Sequence, residues 1–329
     1  MKNILLLQTG GTIAMQLSST GPELDADRWS DILHSEIPEL SQIANLSTKN
    51  IFFEDSSDVN RSHWKLLANT IYKQYNSYDG FLVLHGTDTM AYTASALSFA
   101  LQNLGKPVIF TGSQVPMSNL RSDARRNLVN ALELSTFPIP EVAICFNDHL
   151  FRGNRSTKMS IGDFDAFASP NHQPLAEVGL EIKLSQEILK TSGNLICTPT
   201  FRDDLFVLKL HPNLKPAQLR HLDLEKIQVL ILEAFGSGNM PVKGEYNLLP
   251  FLDRCRDHRV HVIITSQAAY DSVTLDQYSS GREAKKRGAL SAGPMTMEAT
   301  LTKSMFLLGL GLKEQEFRNK FEASLAGER

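Results

Sequence analysis

Residues 4–14 read ILLLQTGGTIA, an apolar run that leads directly into a glycine turn. The first four residues have the length of a short buried strand. Gly10 and Gly11 allow the backbone to approach a ligand closely and to aim N–H groups at an anion. The hydroxyl of Thr12, beside them, is a candidate nucleophile for a carbonyl carbon. The alternative for this motif alone is a purely structural glycine turn with hydroxyl caps.

Similar apolar runs recur along the chain and are mostly continuous rather than alternating. Strands that are buried on both faces of a parallel sheet have this pattern. The runs cover 81–84, 108–110, 142–146, 229–232 and 260–264. Apolar residues at three- and four-residue spacing predict helices over 62–75, 91–104, 122–134, 245–257 and 297–308. This alternation of strands and helices predicts an α/β fold.

The length of 329 residues predicts about two domains, since a domain averages roughly 150 residues. Residues 183–195 are polar and end in Thr-Ser-Gly-Asn at 191–194, a composition typical of a linker or turn. We predict a larger N-terminal domain over 1–190 that carries most of the site, a linker over 191–210, and a smaller C-terminal α/β domain over 211–329.

The composition excludes several classes of partner. A formal net charge of −3 leaves no basic surplus for nucleic acid or for an anionic membrane surface. Cys145, Cys197 and Cys255 are too far apart in sequence to suggest a disulfide framework or a zinc site. The first apolar run is too short for the core of a signal peptide, and no later run is long enough to span a bilayer. We expect a cytoplasmic protein that contacts no membrane.

Hydroxyl-rich segments follow several of the predicted strands. They read His-Gly-Thr-Asp-Thr at 85–89 and Thr-Gly-Ser-Gln at 111–114, and a polar cluster reads Asp-Ser-Ser-Asp at 55–58. Because open α/β sheets bind ligands at the carboxyl ends of their strands, we expect these segments to share a site. Hydroxyl, carboxylate and N–H groups suit a small zwitterion. The alternative for Asp88 is a helix cap.

No cofactor or metal is expected. No strand is followed by a phosphate-binding lysine loop or a Gly-x-Gly-x-x-Gly fingerprint. The nine histidines show no spacing typical of zinc ligands and are interpreted as surface residues. Lys158 is a candidate base for a threonine nucleophile, provided that it is nearly desolvated; a solvated surface lysine is the ordinary alternative.

Two segments together resemble the signatures of bacterial-type L-asparaginases, 9–14 and 84–90. The resemblance extends over nearly the whole chain, including 105–108, 111–114, 152–158, 236–239 and 298–301. Residues 85–99 and the missing signal peptide are more similar to the cytoplasmic type I branch. The resemblance implies hydrolysis of L-asparagine to L-aspartate and ammonia, a flavodoxin-like N-terminal domain, a smaller C-terminal domain, and a homodimer or a dimer-of-dimers tetramer.

The resemblance also implies roles for individual residues. Thr12 matches the primary nucleophile, and Thr87, Asp88 and Lys158 match the second hydroxyl group with its activating partners. Backbone N–H groups at the Gly11 turn would hold the oxyanion. The other residues that match substrate-binding positions are Ser56 and Ser57 for the α-carboxylate, Asp88 for the α-ammonium group, Gln114 in the pocket, and Asn239 in the site of a neighbouring subunit.

Two departures from the family pattern bear on activity. The family usually places a tyrosine in the loop after the nucleophile, whereas residues 21–24 are Gly-Pro-Glu-Leu and the first tyrosine is Tyr72. Some type I relatives are activated by substrate through an arginine and a cysteine that align with Glu233 and Ala268. Because reversing a charge removes the differential affinity that coupling requires, we predict hyperbolic kinetics.

Two other functions stay open at this point. One is the asparaginase-like subunit of a tRNA-dependent amidotransferase, although that subunit normally has an extra N-terminal domain and the chain carries no basic footprint for tRNA. The other is an amino-acid sensor with little or no turnover, which the missing tyrosine permits. The retention of Thr12, Thr87, Asp88 and Lys158 argues against the sensor.

Overall fold

A computed structural model describes residues 1–18, 21–24, 33, 36–191 and 193–329. The chain divides into two compact units, Met1–Pro199 and Thr200–Arg329. The predicted linker over 191–210 spans this division, and Ser192 lies outside the described residues. Each unit has its own sheet and its own hydrophobic core.

The first unit contains an eight-stranded sheet. Its strands are β1 Asn3–Gly10, β4 Asn45–Glu54, β5 Gly80–Leu84, β7 Val108–Thr111, β8 Val142–Phe146, β9 His149–Arg152, β12 Ala176–Val178 and β13 Ile182–Leu184. They are arranged in the order β13-β12-β9-β8-β7-β5-β1-β4. The first five in sequence run parallel, and the last three continue the sheet antiparallel. Numbered by chain order, the parallel strands are arranged 2-1-3-4-5, which is the flavodoxin-like order.

Three short antiparallel pairs complete the strands of this unit. They are β2 Met15–Ser18 with β3 Gly21–Leu24, β10 Thr157–Lys158 with β11 Phe167–Ala168, and β6 Leu101–Gln102 with β14 Ile196–Cys197. The segment that the sequence aligns with the family's loop after the nucleophile is therefore strand β3.

The helices of the first unit are α1 Leu40–Ile43, α2 Arg61–Gln74, α3 Met90–Ala100 and α4 Ala124–Leu134. Helix α3 ends earlier than the predicted 104 because Leu101 and Gln102 pair with β14 instead. On one face of the sheet, Ile4 and Leu6 of β1 pack in a core with Leu128 and Leu132 of α4. All five residues of β5 are buried, as the continuous apolar run predicts.

The second unit has a four-stranded parallel sheet. Its strands are β15 Leu205–Lys209, β16 Val229–Ala234, β17 His261–Ser266 and β18 Leu290–Ser291, and they are arranged in chain order. Its helices are α5 Leu249–Asp257, α6 Ser279–Lys286, α7 Met297–Gly309 and α8 Glu314–Glu322. Helix α5 begins after the predicted 245 because a separate 3-10 turn occupies Gly244–Tyr246. The predicted α/β class, with a larger and mostly parallel sheet followed by a smaller parallel one, is confirmed.

No helix within the described ranges is long and apolar enough to cross a membrane.

Candidate active site

The glycine turn after β1 touches the loop after β5. Gly10 and Gly11 have φ values of +96° and +86°, which favour glycine. A Cβ atom on Gly11 would lie 2.4 Å from the Cα of Gly86, so any larger residue would push the two loops apart. The contact lies between the ends of β1 and β5, which are neighbours in the sheet and are numbers 1 and 3 in the 2-1-3-4-5 order. In such sheets this is the switch point where ligands bind.

Thr12 follows this turn and begins a 3-10 turn over Thr12–Ala14. Its side chain is half-buried. The hydroxyl of Thr9 donates to the carbonyl of Leu84 at 2.7 Å and ties the carboxyl ends of β1 and β5 together. Thr12 therefore lies at the same edge of the sheet as Thr87.

Gly11, whose backbone N–H the resemblance predicts as an oxyanion donor, has a hydrogen-bond partner within the protein. Its N–H donates to the carbonyl of Glu54 at 3.2 Å and is therefore occupied within the protein. Strand β4 reaches this point because its register with β1 shifts between Gln8 and Gly10. The N–H of Thr87, by contrast, has no hydrogen-bond partner among the described residues.

Thr87, Asp88 and Lys158 form one hydrogen-bonded group. The Nζ of Lys158 donates to Thr87 Oγ1 at 2.8 Å and to Asp88 Oδ1 at 2.6 Å. The Lys158 side chain is only 16% exposed, which rules out the solvated surface lysine. Asp88 makes no cap: helix α3 is preceded by Thr89, which has no capping side-chain bond. Its carboxylate is 63% exposed and is open to a ligand.

The segment that precedes Lys158 is held by a buried ion pair. Arg152, at the end of β9, donates from Nε to Glu141 at 2.6 Å, and both side chains are at most 5% exposed. The Ser156 hydroxyl donates back to the carbonyl of Arg152 at 2.7 Å and closes the turn. Lys158 then pairs with Phe167 in the β10–β11 ladder. These bonds direct a long side chain toward Thr87 from a rigid backbone.

Ser56 and Ser57 lie in a 3-10 turn over Ser56–Asp58, and only Ser56 packs against the loop after β5. Ser56 is buried; its Oγ accepts the N–H of Asp88 at 3.3 Å, and its carbonyl accepts the Thr89 hydroxyl at 2.6 Å. Ser57 is exposed, and its N–H and hydroxyl both donate to Asp55 at 2.8 Å. These two bonds hold the pKa of Asp55 below its usual value.

Gln114 joins three loops. Its side-chain oxygen accepts the Thr87 hydroxyl at 3.2 Å, and its Nε2 donates to the carbonyls of Ser160 and Asp163, each at 3.2 Å. Its backbone N–H donates to both carboxylate oxygens of Asp123, at 3.1 and 3.0 Å. The Gln114 side chain therefore links the Thr87 loop to the loop after Lys158.

His85 lies beside the candidate site, and its interpretation as a surface residue is wrong. It is fully buried, and burial lowers its pKa to about 4. Its Nδ1 lies 2.8 Å from the carbonyl of Gly86, and its Nε2 lies 3.0 Å from the hydroxyl of Thr93, which also accepts Trp64 Nε1–H at 3.1 Å. The neutral ring therefore carries its proton on Nδ1, because a carbonyl can only accept.

This hydrogen bond orients the peptide between Gly86 and Thr87. Because the peptide is planar and trans, the N–H of Thr87 points away from the carbonyl that His85 holds. The only signal for this in the sequence is the position of His85, directly between a buried strand and the Gly86 turn.

Asn239 belongs to the second unit. It closes the turn after β16, where its N–H bonds to the carbonyl of Phe235 at 2.6 Å, and its side-chain oxygen accepts the Ser280 hydroxyl at 2.9 Å. Its use by a neighbouring subunit stays a prediction. Among the described residues, no group of three or more His, Cys, Asp or Glu side chains is arranged to hold a metal ion.

Two family models match the chain. The model described as "Asparaginase, N-terminal" matches residues 3–190, and "Glutaminase/Asparaginase C-terminal domain" matches residues 204–321. The chain belongs to the asparaginase family. Its L-asparaginase relatives are amidohydrolases. One of them is L-asparaginase 1 of Escherichia coli K12, which is 38% identical over 345 residues that cover 99% of this chain and 98% of that protein.

Two further proteins similar to this chain have names that state different functions: one is an L-asparaginase and the other is an amidotransferase subunit. The crystal structure of L-asparaginase I from Vibrio cholerae is 39% identical, with a TM-score of 0.91 over 99% of this chain and 98% of that one. A glutamyl-tRNA(Gln) amidotransferase subunit of Pyrococcus abyssi is 31% identical and is matched over 100% of this chain and 77% of that protein. In this chain the candidate site combines two threonine hydroxyls, a half-buried lysine and an exposed carboxylate at one edge of the sheet.

Proposed function

We propose that this chain hydrolyses the side-chain amide of L-asparagine to L-aspartate and ammonia, with Thr12 as nucleophile. The observation that carries the proposal is the hydrogen-bonded group of Lys158, Thr87 and Asp88 at the switch point beside the Thr12 turn. The L-asparaginase names of the full-length relatives from E. coli and V. cholerae support the substrate.

The charges of the site suit an amino-acid zwitterion. The exposed carboxylate of Asp88 is available to the α-ammonium group, because only one of its oxygens is bonded to Lys158. Ser56 and Ser57 would receive the α-carboxylate through their hydroxyl groups. Ser57 must first turn its hydroxyl away from Asp55.

The reaction proceeds in two steps. The Thr12 oxygen forms a bond to the amide carbon while its proton passes through Thr87 to Lys158, and the resulting oxyanion is held by backbone N–H groups. Because the Gly11 N–H is occupied, we assign the Thr87 N–H as the oxyanion donor. The C–N bond then breaks, the nitrogen takes a proton, and ammonia leaves. Water attacks the acyl-enzyme, releases L-aspartate and restores the Thr12 hydroxyl; Lys158 exchanges protons through Thr87.

The proposal also covers the cellular location of the enzyme, its subunit assembly and its need for a cofactor. Resemblance to the type I branch supports a cytoplasmic homodimer or dimer-of-dimers tetramer that uses no cofactor. In such an assembly Asn239 of one subunit would reach the site of another. Size-exclusion chromatography with light scattering tests the assembly: a strictly monomeric active enzyme would contradict it.

The test of the proposed function is product analysis with the purified chain and L-asparagine. We expect one ammonia and one L-aspartate per asparagine consumed, with no tRNA and no partner protein present. Ammonia release that requires a partner subunit and tRNA would instead indicate an amidotransferase subunit, the function that the name of the P. abyssi relative states. An increase in melting temperature with L-aspartate but no ammonia would indicate a sensor.

A further inference from the structure

The orientation of the Gln114 amide is determined by its partners. Its nitrogen lies 3.2 Å from two carbonyl oxygens, those of Ser160 and Asp163. If the amide were flipped, its oxygen would face both carbonyls, and three acceptors would meet without a hydrogen. The unflipped amide supplies one N–H to each carbonyl. Its oxygen must therefore face Thr87, and an amide oxygen only accepts.

The direction of both hydrogen bonds at Thr87 follows. A hydroxyl has one hydrogen and two lone pairs. The hydrogen of Thr87 is committed to Gln114 at 3.2 Å, so the bond to Lys158 at 2.8 Å must run from the lysine to the Thr87 oxygen. One lone pair of Thr87 is left, and it is the one available to a reacting group.

We infer that Gln114 is a positioning residue that fixes the direction of the Thr87 hydroxyl, rather than a substrate-binding residue as the resemblance implies. The inference deepens the proposed function and rests on it. With the hydroxyl held this way, Lys158 is the hydrogen-bond donor and Thr87 the acceptor before the reaction begins. Thr87 passes a proton to Lys158 only after its hydroxyl rotates away from Gln114.

Gln114 is held firmly enough for this role. Asp123 is buried, and its carboxylate accepts the N–H groups of Gln114 and Val115 and one hydrogen of the Asn127 amide. Asn127 in turn donates to the carbonyl of Gly112, which follows β7 at the sheet edge. The backbone of Gln114 is therefore fixed independently of its side chain, and a side-chain substitution leaves this support in place.

The test compares wild type with Gln114→Met, which has the same length but offers Thr87 no strong acceptor. We expect kcat for L-asparagine to fall about 10- to 100-fold, because a misdirected catalytic group costs this much, while KM and the dissociation constant for L-aspartate change less than about twofold. Gln315→Met is the matched control: Gln315 lies exposed on α8 with Asn319 as partner, and its kcat should equal that of wild type.

A double-mutant cycle separates this role from general damage. If Gln114 acts through the Thr87 hydroxyl, Gln114→Met should change residual turnover less than about twofold in a Thr87→Val background. An unchanged kcat in Gln114→Met, additive effects in the cycle, or a tenfold weaker L-aspartate affinity would overturn the inference. Absence of ammonia from wild type would overturn the proposed function instead, and L-aspartate affinity would then decide between positioning and substrate binding by Gln114.

Discussion

Lys158 and Thr87 are 71 positions apart in sequence, yet the Nζ of the lysine lies 2.8 Å from the hydroxyl oxygen of the threonine. The lysine also bonds to Asp88, so one cation serves two groups of the same loop. In the proposed mechanism the lysine exchanges protons through Thr87, and its ion pair with Asp88 anchors the loop after β5. Its removal should therefore affect chemistry more than folding.

We expect Lys158→Met to lower kcat for L-asparagine by about 10²- to 10⁴-fold, the range typical of a lost acid–base group. The melting temperature should change little, because the lysine lies at the edge of the site and Arg152 and Glu141 hold its segment independently. The measurement is steady-state ammonia release together with thermal unfolding. A variant with more than half of wild-type kcat would show that Lys158 has no role in proton transfer.

His85 should make stability depend on pH in a defined direction. Its pKa is lowered from 6.5 to about 4 by burial, so the unfolded chain binds a proton at a pH where the folded chain does not. The stability from the neutral ring is complete above the unfolded pKa and is lost as the pH falls toward about 4. The full difference is about 3 kcal/mol.

Urea unfolding between pH 7.5 and 4.5 checks this expectation, with His85→Asn as the comparison. Asparagine keeps an N–H donor for the Gly86 carbonyl but does not titrate. The free energy of unfolding should therefore fall more steeply with acid in wild type than in the variant. Parallel curves would mean that His85 is charged or solvent-accessible in the folded protein.

The second unit contains a fully buried ion pair between Lys303 and Glu328, and it should be sensitive to the loss of either charge. The lysine Nζ also donates to the carbonyls of Phe321 and Ala323, and the glutamate accepts the N–H groups of Leu325 and Ala326. Glu328→Met would leave the cation buried without its counter-ion. We expect a loss of about 3 to 5 kcal/mol in the free energy of unfolding.

Chemical denaturation measures this loss, and Asp223→Asn at the exposed pair with Lys226 is the control, for which we expect no measurable change. Equal losses in the free energy of unfolding for Glu328→Met and Asp223→Asn would contradict the expectation that the buried ion pair matters more for stability than the exposed one. Catalysis by folded Glu328→Met should be unaffected below its lowered melting temperature, because neither residue belongs to the proposed site.

Asparagine kinetics should be hyperbolic, with a Hill coefficient of about 1. Glu233, where some type I relatives have an arginine, forms an ion pair with Lys209 at 3.3 Å, and its side chain is only 18% exposed. A carboxylate there repels the carboxylate of an effector amino acid. Initial rates over a wide range of L-asparagine concentration test this, and a sigmoidal curve would show that an effector site persists in another form.

Much of the fold follows from local sequence, because continuous apolar runs and helical spacing are local properties. The loops of Thr12 and Thr87 could be predicted as parts of one site for the same reason, because each follows directly after a continuous apolar run. The errors occur where distant residues intervene. Residues 101–102 leave a helical pattern to pair with 196–197, and Asp88 gives up a common capping role for a bond to Lys158, 70 positions away.

The same limit explains the details of the site that sequence reasoning missed. Whether the N–H of Gly11 is available depends on the carbonyl of Glu54, which a shift in strand register brings near. The burial of His85 depends on Thr93 and Trp64 from two helices. The orientation of Gln114 depends on carbonyls 46 and 49 positions away. None of these partners can be identified from residue type and local spacing.

The most direct test of the account is ammonia release from L-asparagine by wild type beside Thr12→Ala and Thr87→Val. Thr12→Ala removes the nucleophile, and Thr87→Val removes the hydroxyl that links Lys158 to the reaction while keeping its shape. We expect turnover by wild type and a fall of at least about 10³-fold in both variants, with melting temperatures close to that of wild type. Turnover by Thr12→Ala within tenfold of wild type would contradict this expectation.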